Sequence, residues 1–180
     1  MVKTNHTPTQ LPLPLEGATV EIPLSQGFVA VVDAIDADLS QFKWSAANEK
    51  GKVYAFRRVK IGFNQHKKEW LHRVILERVL GRQLEGKEFT DHRNSNGIDD
   101  RRENLRLATQ RQNTANRKLN KNNTSGYKGV HFNRNNNSWI AEISSGNEKF
   151  NLGRFDNPQD AYAAYCKAAR ELHGEFARLE

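Results

Sequence analysis

Residues 90–113, TDHRNSNGIDDRRENLRLATQRQN, decide how the centre of this chain folds. A short strand is predicted at residues 89–92, and a polar loop rich in Asn, Asp and Gly follows at residues 93–102. Residues 105–107 predict a second short strand. Thr109 is a suitable N-cap for a polar helix that runs to about residue 119. The stretch therefore predicts a strand–loop–strand–helix unit.

A small β-rich region is expected on the N-terminal side of this unit. Residues 1–15 are polar and then proline-rich, which is typical of a flexible arm. Apolar runs predict strands, with a turn between the last two, at residues 28–32, 53–56 and 59–61. Apolar residues at helical spacing predict a helix over residues 71–80, and Gly81 ends it.

A second module is expected on the C-terminal side. Residues 119–125 are polar and without pattern, so they predict a linker. Three strands and one helix follow, with Asn157 and Pro158 starting the helix and Gly174 ending it. The strands are predicted at residues 127–131, 138–144 and 149–155. An apolar stripe on the helix would pack on the sheet, formed by Ala161, Tyr165, Ala168, Ala169 and Leu172.

Composition limits the classes of function. The net charge is +7, and residues 101–121 hold seven basic residues against one acidic residue, Glu103. This run is either a solvated helix face or a strip that contacts phosphates, and the charge favours nucleic acid over a membrane as partner. A single cysteine excludes an internal disulfide or a thiolate zinc cluster. With no long apolar run, we expect a soluble intracellular protein (cytoplasm or nucleoid) with no membrane partner, and no obligate protein partner is evident.

The central unit resembles the HNH homing-type endonucleases. The resemblance rests on Leu71-His72-Arg73, on residues 90–109 and on Gln112-Asn113, and the stretch at residues 22–44 also looks like the region before that core. It implies a nuclease domain over residues 16–118 with a ββα-metal core at about 86–118. In such nucleases a histidine can accept a proton near neutral pH, and a hard cation needs few protein oxygens.

The resemblance assigns roles residue by residue. His92 would be the general base, and the side-chain oxygen of Asn104 would fix its ring. Asp91 and Asn113 would hold one divalent ion, Mg²⁺ or alternatively Mn²⁺. The plain alternatives are a structural Asp-His pair beside a turn and an Asn113 on an exposed helix.

Other polar residues near this core receive weaker assignments. Arg101, Arg102 and Arg106 are candidate phosphate contacts, because arginine can hold phosphate with two hydrogen bonds. His72 and Arg73 would support the core or simply pack. Asp99 and Asp100 are interpreted as turn residues, with an extra metal ligand as the alternative.

The C-terminal module resembles the plant ethylene-response-factor (Apetala-type) DNA-binding domain. The resemblance covers residues 126–180 and rests on residues 125–130, 139–143, 152–155, 160–162 and 173–177. It implies a three-stranded sheet that enters the major groove, with a helix behind it. Residues implied on or near the DNA face are Lys128, His131, Trp139, Glu142, Lys149 and Arg154. Trp139 could instead be a core aromatic, and His131 departs from the arginine of plant members.

Together these patterns predict an α+β protein: a β-rich region leading into a ββα-metal core, then a three-stranded antiparallel sheet on one helix. The expected function is metal-dependent, sequence-directed cleavage of double-stranded DNA, of the homing type. The alternative is a non-catalytic DNA-binding regulator with a spent nuclease core.

Overall fold

The computed structural model describes residues 17–120, 122–146 and 148–179, so the expected arm at 1–15 lies outside the described residues. The described chain mixes α and β structure, and its four sheets are all antiparallel. No helix within these ranges is both long enough and apolar enough to cross a membrane.

The N-terminal part consists of two small sheets. Strands β1 (Thr19–Pro23) and β2 (Val29–Asp33) form the first pair. Strands β3 (Ser45–Glu49), β4 (Lys52–Gly62) and β5 (Gln65–Trp70) form the second sheet in that order. The two strands expected at 53–56 and 59–61 are one continuous strand, because the residues between them pair with β5.

Helix α1 (Leu71–Leu80) ends as predicted, with Gly81 in the left-handed conformation at φ 66°. Its apolar face packs into the core of this part, which includes Ile22, Val32, Leu39, Trp44, Ala55, Leu71 and Ile75. The core joins α1 to both small sheets, so the N-terminal strands and the central unit form one body.

The central unit has the predicted element order. Strands β6 (Phe89–His92) and β7 (Leu105–Ala108) pair, and helix α2 (Gln110–Ala115) begins with a reciprocal capping box between Thr109 and Gln112. The helix ends four residues earlier than expected. The Asn116 side chain turns inward to Asp91, and the Lys128 amine bonds the carbonyls of residues 115 and 117.

The C-terminal module is a three-stranded sheet packed on one helix. Strands β8 (Val130–Asn133), β9 (Ser138–Ser145) and β10 (Glu148–Phe155) lie in the order β10-β9-β8 against helix α3 (Pro158–His173). Strand β8 starts three residues later than expected. Gly129 has φ +72°, and a Cβ there would lie 2.2 Å from the Tyr165 ring, so this residue is a tight turn against α3.

The chain after α3 returns to the central unit. Phe176 is buried, and its ring lies 3.7 Å from the guanidinium carbon of Arg106 on β7. The two modules are therefore packed together through the last residues of the described chain.

Candidate active site and DNA-binding face

His92 is the centre of a buried polar cluster at the end of β6. Its side chain is 5% exposed, and Nε2 lies 2.9 Å from Oδ1 of Asp100, which is fully buried. Strand β2 sets the position of that aspartate, since Asp100 N donates to Val31 O and Val31 N donates to Ile98 O. The loop is thus held against the N-terminal sheet with its second aspartate under the imidazole.

Asn104 has a different place from the one expected. Its Oδ1 accepts a hydrogen bond from Asn94 N at 3.0 Å, and its Nδ2 donates to Asp99 O at 2.6 Å. Asn104 therefore holds the loop, and Asp100 is the partner of the ring. Asp100 was expected to be a turn residue; the backbone bond to β2 carries its side chain inward instead.

Burial controls protonation in this cluster. Desolvation lowers the pKa of His92 to about 4 and raises the pKa of Asp100 to about 7, since both charged forms lose water. His72 lies half-buried beside them, with its ring centroid 5.2 Å from that of His92, and desolvation lowers its pKa to about 4. The His92 imidazole is therefore neutral at neutral pH, which is the state a general base requires.

Asp91 faces a different set of donors. Its carboxylate accepts from Arg106 Nε at 2.9 Å and Nη2 at 2.8 Å, and Asn116 Nδ2 lies 3.0 Å from both oxygens. Arg106 also donates to the backbone oxygen of Glu175 at 2.7 Å and is only 7% exposed. Its placement as a buried ion pair argues against the surface phosphate contact expected for it.

The other two expected phosphate contacts are also paired within the protein. Arg101 makes a bidentate bond to Asp99 at 2.7 and 2.8 Å. Arg102 donates to buried Asp36 at 2.7 and 3.0 Å, which ties the loop to the short helical segment after β2. Three arginines of the basic run are therefore occupied in ion pairs within the protein. Arg73 likewise braces α1, through Glu77 and the Leu84 carbonyl.

Two sets of groups offer ligand atoms for a cation. Within the described part of the chain, Oδ1 of Asp91 accepts a hydrogen bond from Asn116 alone, so a lone pair is left. The half-buried Asn113 side chain makes no hydrogen bond to any residue that the structure describes, and it lies three residues before Asn116, which caps the end of α2. Carboxylate and amide oxygens are ligands of the kind that a hard cation prefers, and the pairing of Asp91 with Asn113 stays a prediction. The second set brings atoms of His72, His92 and Asp100 within 4.8 Å of one another.

Sequence reasoning missed the part played by four residues at this site. Asn116 contacts the expected metal ligand Asp91, and Asp100 contacts the expected general base His92. No motif in the sequence singles out Lys52, yet its amine interacts electrostatically with both Asp91 and His92. The Tyr54 ring lies 5.8 Å from His92, on the same strand as Lys52. The only available signal for these two was alternation along β4.

The expected DNA face of the C-terminal sheet is partly assembled. His131 and Arg154 lie across from Ile140 in the register, so they share the face opposite α3 with Glu142. Lys149 reaches the Glu142 carboxylate at 2.7 Å, and His131 Nδ1 is 3.6 Å from it. Lys149 and Arg154 are exposed.

Lys128 and Trp139 lie elsewhere. The Lys128 amine donates to the carbonyls of Ala115, Arg117 and Arg178 at 2.7, 2.9 and 3.2 Å. Burial lowers its pKa to about 8. Trp139 packs with the buried cluster on the α3 side of the sheet. These positions favour a joint between modules for Lys128 and a core aromatic for Trp139.

Comparisons with known proteins agree with this division. The family model for HNH endonuclease matches residues 69–115, and the model for the AP2 domain matches residues 125–175. The protein therefore carries an HNH endonuclease domain followed by an AP2 DNA-binding domain. Over 91 residues it is 34% identical to Protein 3.8 of Escherichia phage T7, a match that covers 51% of this chain and 74% of the relative. The chain belongs to the family of that phage protein.

Proposed function

We propose that the protein is a metal-dependent, sequence-directed DNA endonuclease of the homing type, with β6, β7 and α2 as its ββα-metal core. The observation that supports this most is the buried imidazole of His92, held 2.9 Å from Asp100 and kept neutral by burial. The two matched domains are a nuclease domain and a DNA-binding domain that follows it in the chain.

In this mechanism His92 takes the proton of the water that attacks the scissile phosphorus. When Asp100 is ionised it accepts a hydrogen bond from Nε2–H, which leaves the lone pair of the other ring nitrogen available as base. Asp91 and Asn113 would hold the cation, which when bound neutralises charge on the phosphate and on the departing 3′-oxygen. The expected products are a 5′-phosphate and a 3′-hydroxyl. The donors are oxygen atoms, which suit Mg²⁺ and also Mn²⁺.

Arg106 would couple site recognition to cleavage as a positioning residue. It touches Asp91 on one side and Glu175 and Phe176 of the C-terminal module on the other. A shift of the C-terminal module when it binds its DNA site would therefore move the Arg106 guanidinium that is paired with the Asp91 carboxylate.

The same contact favours a second candidate, a DNA-binding regulator whose nuclease core is spent. The Asp91 carboxylate already accepts hydrogen bonds from the Arg106 guanidinium and the Asn116 amide, and these donors compete with a cation for its oxygens.

Incubation with supercoiled plasmid separates the two candidates. We expect nicking or linearisation with Mg²⁺ or Mn²⁺ that EDTA and His92→Ala abolish, while the matched variant His173→Gln on α3 cleaves normally. Site-preferring binding with no cleavage under either metal would establish the regulator.

Sequence direction needs point variants instead of deletion. Removing residues 124–180 would also strip Glu175 and Phe176 from Arg106 and damage the nuclease core. We expect Arg154→Ala and Lys149→Ala to reduce the preference for one plasmid site while total nicking persists. An unchanged cleavage pattern would refute the reading role of the sheet.

A further inference from the structure

The hairpin formed by β4 and β5 has no role in the proposed function so far. Residues 57–68, RRVKIGFNQHKK, contain five Lys or Arg residues and one His, and no Asp or Glu. The turn places Phe63 at the tip, 89% exposed, next to Ile61 at 62% exposed. A single exposed apolar residue is normal in a protein surface, so Phe63 gains significance only from the basic residues around it.

The cross-strand register gathers cations on one face of the hairpin. Arg58 pairs directly with Lys68, and Lys60 pairs directly with His66. Like charges placed directly opposite each other, as in the Arg58–Lys68 pair, destabilise a sheet. The nearest acidic groups offer little relief: Glu69 faces the other side and pairs with Arg57, and Glu49 lies 3.7 Å from Lys68 with both side chains about half exposed. Such a face is best stabilised by a polyanion.

The cationic face is continuous with the active site. Alternate residues of a strand point to the same side, so Tyr54, Phe56, Arg58 and Lys60 share one face of β4. Tyr54 is at the catalytic end, 5.8 Å from His92. The Trp70 ring lies 5.7 Å from Phe56 and continues the face toward Lys68, whose amine is 5.2 Å from it.

We propose that the β4–β5 hairpin is a further DNA-contacting arm, which grips backbone phosphates through Arg58, Lys60 and Lys68 and places Phe63 against the bases. The partner of this cationic face is duplex DNA because the face begins at Tyr54, beside the candidate nuclease centre. In this respect the inference rests on the proposed function. A two-stranded ribbon fits a DNA groove, and apolar residues at such tips can wedge against base steps.

Two kinds of variant give different signatures in a binding titration. The experiment measures affinity of the full chain for a mixed-sequence DNA duplex in EDTA, over about 50 to 200 mM salt. We expect Arg58→Gln and Lys60→Gln each to reduce the slope of log affinity against log salt by about 0.9. Phe63→Ala should weaken binding about tenfold while the slope stays unchanged, because stacking on a base carries no charge.

Matched variants on elements other than the hairpin control for general effects. Lys167→Gln, exposed on α3, should leave the slope unchanged, and Ile35→Ala, 55% exposed, should leave the affinity unchanged. All five variants alter exposed side chains, so their thermal unfolding midpoints should match that of the unaltered protein.

The outcomes are separable. Hairpin variants that bind and respond to salt as the unaltered protein does would overturn the proposed DNA-contacting arm. Metal-dependent plasmid cleavage would still support the proposed nuclease in that case. Loss of hairpin-dependent binding would support it even if no cleavage is ever found. A duplex RNA that competes equally and is lost with the same variants would show that the arm serves RNA, and would overturn the assignment to DNA.

Discussion

Replacement of Arg106 by methionine tests the buried joint between the two modules. Methionine keeps apolar contact with the Phe176 ring but leaves the Asp91 carboxylate, 8% exposed, with Asn116 as its remaining partner. Breaking a buried ion pair by removing one partner costs about 3–5 kcal/mol, because the other charge stays buried. For a chain of this size, each kcal/mol lowers the midpoint of thermal unfolding by about 2–4 °C, so we expect a loss of roughly 6–20 °C.

Arg93→Met is the matched control. Arg93 donates to the same Glu175 carboxylate at 2.7 Å, but the two side chains are 47% and 57% exposed. Exposed pairs contribute about 0–1 kcal/mol, so this variant should unfold within a few degrees of the unaltered protein.

Urea unfolding followed by tryptophan fluorescence measures both variants. Trp44 and Trp70 lie in the N-terminal part and Trp139 lies in the C-terminal module, so a loosened joint would also separate their transitions. A loss of less than about 1 kcal/mol for Arg106→Met, equal to that of Arg93→Met, would refute the buried joint.

Three further predictions follow from the same contacts. Lys128→Met should cost about 2 kcal/mol in urea unfolding, because three carbonyls lose a charged donor; a normal stability with a lower salt slope of DNA binding would instead support the phosphate contact. Gly97→Ala should destabilise the chain and slow cleavage, since a Cβ there would lie 2.4 Å from the Val53 carbonyl and 2.6 Å from the Tyr54 ring; unchanged urea unfolding would contradict the close approach. The folded-state pKa of His72 is lowered to about 4, so its contribution to stability is present above pH 6.5 and lost as pH falls toward 4. His72→Phe should therefore reduce the slope of stability against pH in that window by about one proton, and an identical slope would contradict the burial of a neutral ring.

Local signals predicted the elements that depend on local chemistry. Gly81 ended α1, Thr109 capped α2, and Asn157 with Pro158 started α3, each through a hydrogen bond or a backbone angle set within a few residues. Strand β5, QHKKEW, could not be predicted in the same way. It has no alternation of apolar residues and exists because β4 offers it a partner along its whole length.

The candidate site shows the same limit more sharply. The order of Asp91, His92, Asn104 and Asn113 indicated a nuclease core, which the family match agrees with. The partners of these residues depended on distant segments. Val31 on β2 places Asp100 under His92, and Phe176 after α3 covers Arg106. Counting charges could not show that three arginines of the basic run are paired with aspartates.

The most direct test of the account is chemical rescue of the general base. Supercoiled plasmid is incubated with His92→Ala and Mg²⁺, with and without added imidazole, and nicking is followed over time. Because the ring is buried and paired with Asp100, its removal leaves a cavity lined by that aspartate. We expect no cleavage by the variant alone and partial recovery with imidazole, which rises with pH. Cleavage by His92→Ala at the rate of the unaltered protein would contradict the role of His92 as the general base.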